Sequence, residues 1–159
     1  MRTLVMASLV LATAAIAPKS GAQMCALTPA DFQSGGIRNV SKPTTNVQDG
    51  GASVYCVYAG KSAATGGVEL DVFNPAGGTV AEAKDTFQTA ISEGSSGMKP
   101  VTLAGADDAR WSGNVVSGGP PFATMVVRRG TLVFTLGIPA GSAAQKQLTD
   151  LAVLVLGRF

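Results

Sequence analysis

The residues of this chain whose types and spacing could do chemistry are few. Asp107 and Asp108 stand side by side, followed by Arg110 and Trp111. Two adjacent carboxylates can share one cation or one proton, which offers a metal or acid-base reading with Arg110 as a companion charge. Neighbouring side chains usually point apart, however, and a calcium loop needs oxygens at positions where this stretch has Ala106, Ala109 and Arg110. The plainer expectation is a turn whose Asp accepts local backbone N–H groups. Trp111 with Phe122 and Pro120-Pro121 offers an aromatic recognition surface; the structural alternative is packing, since aromatic area dominates cores. Arg128-Arg129 is suited to gripping a carboxylate or phosphate, and at a hairpin tip to solubility.

What is missing narrows the chemistry further. The chain contains no histidine, which removes the commonest general base, triad member and nitrogen ligand for zinc. It has no Gly-x-Ser-x-Gly elbow and no phosphate-cradling Gly-x-x-x-x-Gly-Lys-Ser/Thr run; Gly94-Ser95-Ser96-Gly97 reads as a loop. No catalytic residue, cofactor or metal site is therefore assigned, and Asp107, Asp108, Arg110 and Trp111 remain as a candidate binding surface.

Compartment follows from the N-terminus. Arg2, an apolar run from Leu4 to Ala17 and the small residues Ser20-Gly21-Ala22 read as a secretory signal over residues 1–22, cleaved before Gln23. The run is shorter than the roughly 20 residues of a membrane-spanning helix, and no later segment qualifies, so no membrane span is expected. Loss of Arg2 and Lys19 from twelve basic residues leaves ten against ten acidic ones, a near-neutral mature chain. Binding to nucleic acid or to an anionic membrane would need clustered basic charge, which is absent. Cys25 and Cys56 are the two cysteines, and an even count outside the reducing cytoplasm favours a disulfide. Lipid attachment at Cys25 is disfavoured by Ala22, Gln23 and Met24 before it.

One domain is expected over residues 23–159. Thr28 caps a short helix with Pro29 at its first position, ended by Gly35-Gly36. Residues 40–51 read as a loop or irregular strand. Ser53 to Ala59 and Val68 to Phe73 alternate as an antiparallel hairpin. Thr79 and Glu82 form a capping box for a helix reaching Gly94. Short strands follow at Pro100 to Leu103 and Ala109 to Trp111, then a hairpin of Phe122 to Val127 and Thr131 to Ile138 turning at Arg128-Arg129-Gly130. A final helix opens on a Ser142/Gln145 capping box, with Leu148, Leu151 and Val155 on its apolar stripe. This order predicts an α+β fold: a mostly antiparallel sheet of about five strands with helices packed on it, including a C-terminal helix.

With these elements placed, Cys25-Ala26-Leu27-Thr28, Cys56-Val57-Tyr58 and Gly105-Ala106-Asp107-Asp108-Ala109-Arg110-Trp111 resemble a family of small exported bacterial domains of unknown function, often lipoproteins. Those proteins look like Cys-x-Leu-Thr before a short helix, Cys-x-Tyr in a strand, and a Gly-x-Gly-Asp-x-Ala turn. Here Asp107 replaces the second glycine. The resemblance spans nearly all of the mature chain and implies an α+β fold with the two cysteines bonded. It supplies no catalytic residues. The expectation is a periplasmic or secreted monomer that binds a small molecule, a peptide or an envelope protein without catalysis; the alternative is a hydrolase-like enzyme using Asp107 or Asp108 with Arg110.

Overall fold

Strands in which apolar and polar residues alternate present one face to a core, as Val68–Phe73 does here. The computed structural model describes residues 25–48, 51–58, 67–73, 78–94, 97–115 and 121–159. Residues 1–22, read above as a signal, lie outside them, as do Ser95-Ser96 and Pro120. In chain order come α1 (Pro29–Ser34), β1 (Thr44–Gln48), β2 (Ser53–Tyr58), β3 (Val68–Phe73), α2 (Val80–Gly94), β4 (Lys99–Pro100), β5 (Asp108–Val115), β6 (Phe122–Arg129), β7 (Leu132–Pro139) and α3 (Ala144–Arg158). All strand pairs are antiparallel, in the order β1-β2-β3-β7-β6-β5-β4.

The α+β class and the C-terminal helix agree with expectation, but the sheet has seven strands, not about five. The additional members are edge strands. β1 forms from the polar stretch before Gln48, and most of its side chains are exposed. β4 is two exposed residues, Lys99 and Pro100, pairing with Trp111 and Arg110. Residues 40–51, read as a loop or irregular strand, hold a regular edge strand, and the strand expected at Pro100 to Leu103 pairs only at Lys99–Pro100, since backbone pairing at such edges leaves little hydrophobic alternation.

The principal core lies between the sheet and α3. Val54, Cys56, Leu70, Met125, Phe134 and Leu136 point to that face and are fully buried. They meet Leu148, Leu151, Ala152 and Val155 of α3. Each large side chain so buried contributes about 1.5–3 kcal/mol. α3 begins without the expected Ser142 cap: Ala143 precedes it, and backbone bonds from Ala144 N–H to Gly141 (3.1 Å) and Gln147 N–H to Ala143 (3.0 Å) close the entry turn. The described residues include no helix long and apolar enough to cross a membrane.

α1 sits at the margin of this core and is fixed from several sides. Thr28 donates its N–H (2.6 Å) and hydroxyl (2.8 Å) to Asp31 Oδ2, closing the helix entry. Phe32 packs edge-on against Tyr58 at 4.7 Å between ring centroids, and the Tyr58 hydroxyl donates to the Leu27 carbonyl at 2.9 Å. A Cys25–Cys56 disulfide, with α-carbons 5.7 Å apart, ties the opening segment to β2.

The opposite sheet face is only partly covered. α2, entered through a capping box in which Thr79 and Glu82 exchange bonds, lays Ala83 and Phe87 on Val126 and Val133 of the central strands. Beyond this small second core, the same face carries Glu69, Asp71, Thr124 and Thr135.

Candidate functional site

The expected cluster around Asp107 does not form one site. Asp107 Oδ2 accepts from the Gly130 N–H at 2.7 Å and from Arg128 Nη1 at 2.9 Å, so it braces the β6–β7 turn. The Gly130 N–H, above all, holds this carboxyl below its ordinary range. Asp108 lies 3.5 Å from Arg110 Nε, two residues along β5 on the sheet face that α2 covers. Trp111 is on the other face and packs against the principal core. Asp107 and Asp108 edge a shallow hollow of about 380 Å³ that neither Arg110 nor Trp111 lines.

The arginine pair is also structural. The β6–β7 turn is Gly130-Thr131, with both arginines inside β6. Gly130 takes φ +58°, a left-handed conformation that glycine adopts at no steric cost. Arg128 reaches Asp107, and Arg129 Nη1 donates to the Leu156 carbonyl at 2.6 Å, joining the hairpin to α3. Phe122 lies on the face opposite Trp111, so the two aromatics share no surface.

A larger concavity than the Asp107–Asp108 hollow lies between α2 and the sheet and measures about 720 Å³. Its floor comes from β3, β6 and β7: Glu69 and Asp71 from the polar side of β3, Thr124 from β6, Thr135 and Gly137 from β7. Asp85, Thr86, Thr89 and Glu93 line its helical wall, a stripe set by the helical period. Tyr55, Phe73 and Phe122 supply aromatic surface.

Two features make this groove more than a gap in packing. Gly137 interrupts an otherwise bulky strand, and a Cβ there would lie 3.8 Å from Glu69 Cβ and 4.0 Å from Phe122 Cδ1. Alanine would fit, and anything larger would fill the floor; glycine keeps it open. Asp71 Oδ1 is buried without a hydrogen-bond partner among the described residues. Burial, reinforced by the charge of Glu69, pushes the Asp71 carboxyl up to about 6. Tyr55 is raised well above the usual phenol range, first by burial and then by its hydrogen bond to Glu69.

Comparison with protein-family models, curated proteins and solved structures returned no match. The site therefore stands on its own geometry. Among the described residues no three His, Cys, Asp or Glu side chains are placed to hold a metal ion together. The groove brings carboxylates, threonine hydroxyls and aromatic side chains together on one concave surface.

Sequence reasoning passed over this site. Glu69 and Asp71 read as the solvated side of an amphipathic strand, and Gly137 as part of a hairpin. The available signal was the conflict itself: a strand with two carboxylates on one face in a fold whose helices must cover sheet faces.

Proposed function

We propose that this protein is an exported, disulfide-stabilised binding module of the periplasm or the extracellular medium, and that its ligand seat is the groove beneath α2. The single observation that carries this reading is the open floor at Gly137 beside the unpartnered Asp71 oxygen. Buried polar groups in proteins almost always have partners, so a carboxylate kept beside the groove with an unpartnered oxygen is retained for something other than packing. Export is supported by the Leu4-to-Ala17 leader and by the Cys25–Cys56 bond, which persists in oxidising compartments. The resemblance to small exported domains points the same way. A hydrolase built on Asp107 or Asp108 with Arg110 gains no support from an Asp107 that braces a turn.

Amide chemical-shift mapping against a library of small amines, acids and sugars tests the seat. Ligands are expected to move Thr124, Thr135 and Gly137 and the amides of α2, and to do so no longer in a Gly137→Leu variant that keeps its cooperative melt. Hits that map instead to the Asp107–Asp108 turn would overturn it. Mass spectrometry of exported protein should find a chain starting at Gln23, two hydrogens lighter than its reduced form.

A further inference from the structure

The acidic residues of this chain divide into two groups. Asp31 is paired with Arg158, Asp107 with Arg128, Asp108 with Arg110 and Asp150 with Lys146, while Glu82 closes the entry of α2. The remaining described acids are Glu69, Asp71, Asp85 and Glu93, and all four line the groove. No arginine or lysine is among the residues that line it. Among the described residues the other acids have partners, whereas these four form no ion pair and stand around one cavity, which concentrates negative potential there, and clefts focus such fields.

From this we infer that the groove takes a linear aliphatic polyamine, an extended molecule whose ammonium groups are separated by methylenes. The inference rests on the groove being the ligand seat. An ammonium carries three donors and no acceptor, which suits the carboxylates and threonine hydroxyls that line the groove. Asp85 and Glu93 are eight residues apart on α2, about 12 Å along the axis, so one compact cation cannot meet both. Phe73, Ala90 and Phe122 give the methylenes apolar surface between the charges, and aromatic faces attract cations. A divalent metal is a poorer match, because no three carboxylates converge on one point among the described residues.

Calorimetric titration of the oxidised mature chain with spermidine, butylamine, calcium and a short oligolysine at low ionic strength tests this. Spermidine should bind at one site, at least about tenfold tighter than butylamine. Asp71→Asn should weaken it about tenfold or more. The double variant Asp85→Asn with Glu93→Gln should weaken spermidine several-fold and leave butylamine unchanged. Asp107→Asn, an acid outside the groove, should change nothing. Affinity should fall between pH 7.5 and 5.5 as Asp71, facing Glu69, Tyr55, Asp85 and Glu93, takes up a proton, and Asp71→Asn should lose that dependence.

Equal binding of spermidine and butylamine would overturn the inference, as would full affinity in Asp71→Asn or displacement of spermidine by equimolar calcium. Tighter binding of oligolysine would overturn it in favour of a basic protein segment. If no amine binds but another compound still moves Gly137 and is blocked by Gly137→Leu, the ligand class is wrong and the seat stands. If Gly137→Leu, shown to be folded, blocks nothing that binds, both readings fall.

Discussion

Arg158, one residue from the C-terminus, donates to both carboxylate oxygens of Asp31, at 2.7 and 2.8 Å, and its Nη1 also reaches the Ala26 carbonyl. The contact joins the end of α3 to the first turn of α1 across the whole chain. The Arg158 hydrogen bonds hold the Asp31 carboxyl far below its ordinary value. A depressed carboxyl adds stability that is present above the unfolded pKa of 3.8 and is lost as pH falls through the folded one. Asp31→Asn should cost about 1 kcal/mol at pH 7, a figure discounted because the Arg158 side chain is 38% exposed and solvent screens the pair. Urea denaturation at a series of pH values should show the difference shrinking below pH 4.

The disulfide spans 31 residues and should contribute roughly 3–4 kcal/mol through loss of unfolded-chain entropy. Reduction, or Cys25→Ala with Cys56→Ala, should lower the urea midpoint accordingly. Because Tyr58 and Phe32 also anchor α1, hydrogen exchange should show α1 loosening first while the central strands β6 and β7 stay protected.

Asp71 predicts the opposite pH dependence from Asp31. Its folded pKa, about 6, lies above the ordinary 3.8, so the folded chain binds the proton more tightly and stability falls as pH rises from about 4 to 6. Asp71→Asn should therefore be more stable than the native chain at pH 7, by on the order of 2 kcal/mol, and equal to it below pH 4. Thermal melts at the two pH values measure this. A position where removing a charge stabilises the fold is the trade expected of a ligand-binding residue.

Trp111, the single tryptophan, lies against Gly113, where an added Cβ would be 3.0 Å from Cζ3 and 3.1 Å from Cη2 of the indole. Gly113→Ala must push the ring aside by a few tenths of an ångström. The expected result is a shifted fluorescence maximum and a loss of about 1 kcal/mol.

The strands and helices that carry the core were legible because burial writes a period into the sequence. Val68 to Phe73 alternates and forms β3 with those bounds; the stripe through Leu148, Leu151 and Val155 forms α3; Thr79 and Glu82 open α2. The disulfide was anticipated from the even cysteine count and the expected leader, since pairing depends on compartment and count. Edge strands β1 and β4 were legible only in part: residues 40–51 read as a loop or irregular strand, and the strand expected at Pro100 to Leu103 pairs only at Lys99–Pro100, because backbone pairing leaves little mark on exposed side chains.

The groove was the other thing only tertiary structure decided. Residues 69, 71, 85, 93 and 137 come from three separate elements, and nothing local to any of them says that α2 packs chiefly on β6 and β7 and leaves Glu69 and Asp71 of β3 facing a groove. Local physics determines which side of a strand or helix is apolar. Where two such elements cross, and which polar residues are left facing each other across the gap, depends on the packing of the whole sheet.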